Sequence, residues 1–326
     1  MSYRPVLLSL LTTLALGCLS DEPSAEPNAA ALSERCVGCD WGPPILNTHE
    51  VNGISVPALA LDGTVRNGAR LVEVAVLAAG GSMDPLVSIQ LERGLLSGTT
   101  ASGTAYEGAD FVGSAWTVEL GEGPGAELVL MTISDFIDDD PHSRYVLEHG
   151  PTIATATSAN CEVDPVTGEA SAILFDDLSV DEATGELVEE TGSIYFGCIS
   201  GAVGKAAMWG YVPWDHGRDA HQTTTRVVRA DYCGDGKAWT VTGTPLQLED
   251  EAKINEFLEP DELTEAMWGP DGAVCLRTPR YDAYAYATVS CDGLPLPKCG
   301  ALDELADWPT AIMWSKRWDL LGPALW

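Results

Sequence analysis

Cys233 lies between Asp231 and Asp235, and His221 precedes all three. A thiolate at Cys233, deprotonated by His221 and supported by an aspartate, would be the nucleophile of a hydrolase. A pair of carboxylates is a second route to hydrolysis, but 49 Asp and Glu residues give no reason to choose any two. Other hydrolytic patterns are missing from the sequence: there is no Gly-x-Ser-x-Gly elbow, and His49, His142, His149, His216 and His221 make no HExxH pair. Asp135, Asp138, Asp139 and Asp140 form a dense acidic run whose oxygens would suit Ca2+ outside the cytoplasm. The run lacks the Asp-x-Asp-x-Asp-Gly order of a calcium loop, so it is read as a solvated turn and no metal or other cofactor is assigned. Trp209, Tyr211 and Trp214, beside Gly210 and Pro213, are candidate contacts for an extracellular protein or polysaccharide, and Tyr281, Tyr284 and Tyr286 could form a strip. Core placement of these aromatics is the competing reading.

The compartment bears on the state of Cys233. One charge, Arg4, precedes an uncharged run from Val6 to Gly17, too short to span a bilayer and suited to an export signal. Its end, Leu14-Ala15-Leu16-Gly17-Cys18, is similar to a lipobox, which would make Cys18 the lipidated N-terminus and the membrane a partner through that lipid. Leu19 at the next position, in place of Asp, fits sorting to the outer membrane. Eight cysteines then remain: Cys36, Cys39, Cys161, Cys198, Cys233, Cys275, Cys291 and Cys299. An even number in an exported chain implies disulfides, whose pairing the sequence leaves open. Cys233 is then half of a disulfide, with Cys198 or Cys275 as candidate partners, and Asp231 with Gly234-Asp235-Gly236 shapes a tight turn after it.

Charge excludes one class of partner. With 17 Lys and Arg against the 49 acids, the net charge is -32, and no cationic track for nucleic acid can form. The acidic runs from Asp176 to Glu190 and from Glu249 to Glu265 read as solvated loops.

The elements that would position these residues are mostly strands. Val87, Ile89 and Leu91 alternate with polar residues, as do Trp116, Val118 and Leu120. Leu71 to Leu77 and Leu128 to Ile133 are more continuously apolar, as central strands would be. Glycine-rich turns between them favour an antiparallel sandwich or barrel-like part. After about residue 160 the chain holds helical spacing at Val203, Ala206, Ala207 and Gly210. Ala220, Thr224, Val227 and Val228 also fit a helix, although the β-branched residues there favour strand, so both remain open for residues 217–230. Ile194, Phe196 and Cys198 read as a strand, and residues 265–275 as two strands around Pro270-Asp271-Gly272. Trp314 and Trp318 are one helical turn apart.

Arg229-Ala230-Asp231-Tyr232-Cys233-Gly234-Asp235-Gly236 carries the signature of the ADYC-domain proteins, lipoproteins and secreted proteins chiefly of myxobacteria. Residues 204–214, Gly-Lys followed by Gly-Tyr-Val-Pro-Trp, are similar to another family segment. So are Thr242-Gly243-Thr244-Pro245 and the hairpin from Trp268 to Cys275. The resemblance implies export and a cysteine-stabilised domain, and no activity. Its relatives often carry cysteines where this chain has Ala206 and Thr224, which implies that the two segments bearing them lie together. The expected organisation is a signal peptide at 1–17, a lipid-anchored tether at 18–45, a β-rich domain at 46–160 and an ADYC-type α+β domain at 161–326. The fold class is β-rich α+β. The leading expectation is a non-catalytic binding or structural protein of the cell envelope; the alternative is an extracellular hydrolase using an acidic pair or Cys233 with His221. Oligomeric state is not legible.

Overall fold

The computed structural model describes residues 45–317, apart from 54–55, 57, 67, 122, 139–141, 153–154, 257–263, 282–284, 286–287 and 301–302. The expected signal peptide, Cys18, the tether and Cys36 and Cys39 lie outside the described residues, as do Asp139, Asp140, Tyr284, Tyr286 and Trp318. No helix among the described residues is long and apolar enough to cross a membrane.

The strands between residues 58 and 198 build one antiparallel sheet. Its strands are β2 (Ala58–Ala60), β3 (Ala69–Leu77), β4 (Met83–Glu92), β5 (Leu95–Thr100), β6 (Ala105–Glu107), β7 (Ala115–Leu120), β8 (Glu127–Ile137), β9 (Arg144–Gly150), β10 (Ser158–Ala159), β11 (Ser171–Asp181) and β12 (Glu186–Cys198). The order is β2-β12-β11-β9-β8-β7-β3-β4-β5-β6, with β10 on β9. Residues from across this order, among them Leu59, Val76, Leu96, Trp116, Met131 and Phe196, meet in a single core, so the sheet curves around its own apolar face. Residue 160 falls between strands of this sheet, since β11 and β12 continue it.

Leu77 and Leu128, at strand ends, are exposed where buried strands are expected, and two further departures come from β-bulges. A register shift between Leu86 and Ser88 places Leu86, Ile89 and Leu91 against the core and leaves Val87 68% exposed. A second shift, between Leu71 and Glu73, turns Val72 outward in a stretch that reads as a continuously buried strand.

Most of β11 and the end of β12, residues 193–198, are buried on both faces. Ala172 and Leu174 join the sheet's own core, while the alternate residues Ile173, Phe175 and Tyr195 face a second cluster with Val203 and Ala207. The acidic run Asp176 to Glu190 is therefore not a free loop: Leu178, Val180 and Leu187 are buried between acids that are mostly wet.

Three helices follow: α1 (Ala202–Met208), α2 (Pro213–His216) and α3 (Arg218–Arg229). Helix wins over strand at residues 218–229 because the threonines spend their hydroxyls inside it. Thr223, Thr224 and Thr225 donate to the carbonyls of Asp219, Ala220 and His221 at 2.7, 2.8 and 3.0 Å, so three β-branched side chains enter the core with their polar atoms satisfied. α1 packs against α3, and Ala206 and Thr224 are both fully buried.

A smaller antiparallel sheet covers the other side of α3. It comprises β1 (Ile45–Leu46), β13 (Pro245–Asp250), β14 (Thr264–Gly269), β15 (Gly272–Leu276) and β18 (Met313–Arg317), in the order β1-β13-β18-β14-β15. The hairpin at Pro270-Asp271-Gly272 thus forms as expected, whereas Trp314 lies in a strand and not in a helix. A hairpin of β16 (Ser290–Cys291) and β17 (Leu294–Pro295) stands apart. Val227, Ala230, Tyr232 and Trp239 pack with Leu246, Trp268 and Met313 into the core between α3 and this sheet. Among the described residues, three disulfides join Cys161 to Cys198, Cys233 to Cys291 and Cys275 to Cys299.

Candidate functional site

The signature begins where α3 ends. Ala230 caps the helix in the left-handed conformation, at φ 49°, which turns the chain and directs Asp231 back under the last turn. Asp231 Oδ2 accepts hydrogen bonds from Arg226 Nη1 at 2.8 Å and from the Gly236 amide at 3.0 Å, and Arg229 Nη1 lies 3.7 Å away. All three side chains are buried. Burial pushes the Asp231 carboxyl above its ordinary range, against the pull of the two guanidiniums. The arginines also bind the turn between β11 and β12: both donate to the Thr184 carbonyl, and Arg229 Nε reaches the His49 carbonyl at 3.1 Å.

Tyr232 faces the opposite way. Its ring stacks on Trp268 at 5.2 Å, its hydroxyl donates to Glu265 Oε1 at 2.8 Å, and it accepts the Arg280 amide at 2.7 Å. Arg280 Nε pairs with Glu265 Oε2 at 3.1 Å, and its Nη1 donates to the carbonyls of Val227 and Val228 in the last turn of α3. Glu265, expected to end a solvated acidic run, is instead fully buried because this guanidinium meets it. Gly234 packs so closely on the hairpin turn that a Cβ would lie 2.1 Å from the Asp271 carbonyl oxygen. Consecutive residues of the signature thus reach the two sheets that flank α3: Asp231 holds the large one and Tyr232 the small one.

Cys233 is bonded to Cys291, and its expected candidate partners pair elsewhere, Cys198 with Cys161 and Cys275 with Cys299. A disulfide sulfur is not a thiolate, so Cys233 is not the nucleophile of a Cys-His-Asp site in this structure. Asp235 is exposed and accepts only from the Lys237 amide at 3.0 Å, as a turn-shaping aspartate does. His221 is fully buried, bonded through Nδ1 to the Tyr211 carbonyl and packed 5.1 Å from the Phe175 ring.

Desolvation lowers the His221 pKa from 6.5 to about 4. The folded protein therefore keeps this ring neutral while the unfolded chain protonates it below pH 6.5, and stability falls as pH drops from 6.5 towards 4. The loss amounts to about 3 kcal/mol at most. Urea midpoints measured across that window should fall with pH in the wild type, and His221→Gln should remove this contribution to the slope, whatever its stability at neutral pH.

The aromatic candidates divide. Tyr211 is no ligand contact: it is fully buried, with its hydroxyl donating to Asp250 Oδ2 at 2.5 Å and accepting from Asn255 Nδ2 at 3.2 Å. Trp214 is half-buried, with ring centroids 5.8 Å from Phe175 and 6.0 Å from His142, and Trp209 is half-buried against the core beside the small sheet. Asp135 lies within β8 and accepts from the Phe136 amide, while exposed Asp138 accepts from Ser143 at 3.5 Å. Among the described residues, no three His, Cys, Asp or Glu side chains converge as a metal site would need.

Beside the signature runs a feature that the sequence does not reveal. A groove of about 540 Å3 separates the start of β12 from α3 and is closed at one end by Gly234 and the hairpin turn at Asp271. A second hollow of about 520 Å3, between the bulge at Asp176 and Asp177 and the junction of α2 with α3, shares Glu189, Arg218 and Asp219 with the first. The walls of the two come from segments spread between residues 176 and 271, which is why no local motif marks them.

A helix clamped between two antiparallel sheets by a disulfide-bonded turn defines a β-rich α+β protein stabilised by cystines. More particularly, the chain belongs to the ADYC-domain family, whose model matches residues 108–282, more than half of its length. The match begins in the turn between β6 and β7 and ends past the β14–β15 hairpin, so the family unit includes strands of both sheets as well as α3. No curated protein and no solved structure matches the chain.

Proposed function

We propose that this chain is an exported, lipid-anchored protein of the cell envelope, whose folded part binds or structures material outside the cell without catalysing a reaction. The observation that carries the non-catalytic reading is the commitment of Cys233, Asp231 and His221 to the fold. Cys233 is in a disulfide, Asp231 is buried between two arginines, and His221 is buried with its Nδ1 on a main-chain carbonyl. Three disulfides suit an oxidising compartment. The sequence of residues 1–18, with its short apolar run ending at Cys18, supports export and anchoring in the outer membrane.

Metabolic labelling with a fatty-acid analogue tests the anchor. The full-length protein should carry the label and sediment with membranes, and Cys18→Ala should do neither. Label retained by Cys18→Ala would mean that the lipid, if any, is attached elsewhere and that the proposed processing site is wrong.

A further inference from the structure

We propose that the groove between β12 and α3 docks an extended peptide segment rich in lysine or arginine, which adds to the open edge of β12 at Glu189, just past the Leu187 amide that Gln222 already takes. This deepens the binding reading above and rests on it.

The edge follows from the ladder. Along β12, Leu187, Val188 and Glu189 face Val180, Ser179 and Leu178 of β11 without a shift in register. The Leu187 amide points away from β11, because it donates to Gln222 Oε1 at 2.6 Å. In an antiparallel ladder successive residues alternate between facing the partner strand and facing away. Glu189, two residues on, therefore also turns its N–H and C=O away from β11, towards the groove that it helps to line.

Gln222 already shows how this edge is satisfied. Its side-chain amide gives Nε2 to the Gly185 carbonyl and takes the Leu187 N–H, which are the two bonds that a neighbouring strand would make. The mimicry stops there. β2 pairs with β12 only at Ser193, Ile194 and Tyr195, so the edge between Gln222 and β2 faces the groove without a strand beside it among the described residues. An extended peptide could continue what Gln222 begins.

Charge selects the occupant. Six carboxylates line the two joined hollows: Asp176, Asp177, Glu186, Glu189, Asp219 and Asp271. Arg226 in the floor is occupied by Asp231 and the Thr184 carbonyl. Arg218 is the other arginine, half-exposed and 3.6 Å from Glu189. A cationic side chain entering the groove would meet Glu189 and Asp219 where Arg218 now lies, and an acidic peptide would be repelled.

Fluorescence anisotropy on the full-length protein tests this with three labelled probes. They are an extended Lys-Thr-Lys-Val-Lys-Thr peptide, the same peptide with Glu for Lys, and the lysine peptide N-methylated at alternate main-chain nitrogens. The lysine peptide should bind and the glutamate peptide should not. N-methylation should weaken binding about tenfold by removing main-chain donors, and Glu189→Lys/Asp219→Lys should weaken it by about as much. Reversing two exposed acids on the large sheet, Glu73→Lys/Glu127→Lys, serves as the control for net charge and should change affinity far less. Failure of the lysine peptide to bind would overturn the proposal. So would equal binding of the N-methylated probe, or equal losses in the two charge-reversed variants. The acylation assay scores the anchor whatever the peptide does, so the two readings fail separately.

Discussion

Asp231→Asn should cost about 3 kcal/mol or more of folding stability, measured as the shift in urea or guanidinium midpoint. The substitution keeps the shape of the side chain and removes its charge. Arg226 and Arg229, whose side chains are 4% and 6% exposed, would then share a buried site without an anion between them. Arg229 already pays for its burial with a lowered pKa, against which Asp231 is the largest favourable influence. Both arginines also hold the Thr184 carbonyl, so their loss of position should loosen the β11–β12 turn as well. The neighbouring signature acid supplies the contrast: Asp235→Asn removes an exposed charge and should stay within about 0.5 kcal/mol of wild type. Equal effects at the two positions would contradict the role assigned to Asp231.

Gly204→Ala should be about as damaging, for a steric reason. A Cβ at Gly204 would lie 2.1 Å from the Cys198 carbonyl oxygen and 2.7 Å from that of Gly197, so α1 could not rest on the end of β12. The strand cannot yield easily. Cys198 is bonded to Cys161, and its amide donates to Asn52 Oδ1 at 2.7 Å. Moving the helix would also strain the buried ion pair between Lys205 and Asp164. Overpacking of this kind typically costs 1–3 kcal/mol, and a backbone obstacle places the expected loss at about 3 kcal/mol. Gly125→Ala, where nothing lies within 4 Å of the added carbon, should be close to neutral in the same thermal or chemical melt.

Local patterns made much of this architecture legible. The alternation at Trp116 and Val118, the turn at Pro270-Asp271-Gly272 and the signature itself each state their structure over a few residues. What the sequence left open or misdirected depended on partners far along the chain. The threonine-rich stretch before the signature has both helical spacing and strand-forming side chains, and the choice is settled by hydroxyls that bond four residues back and by burial between two sheets. Tyr211 reads as an exposed aromatic until Asp250, 39 residues away, takes its hydroxyl. Glu265 reads as surface acid until Arg280 meets it. The pairing of Cys233 with Cys291 spans 58 residues and has no local signal at all. The groove belongs to the same class, because the open edge of β12 exists only once β11 and α3 have been placed on either side of its start.

The central claim is that the signature is a structural clamp closed by a disulfide, and peptide mapping of the denatured, unreduced protein tests it most directly. Alkylation without reductant followed by proteolysis and mass spectrometry should leave Cys233 unmodified and recover it in a peptide linked to the one containing Cys291. Recovery of Cys233 as an alkylated free thiol, with Cys291 free or paired elsewhere, would contradict the clamp and restore the thiol to chemistry.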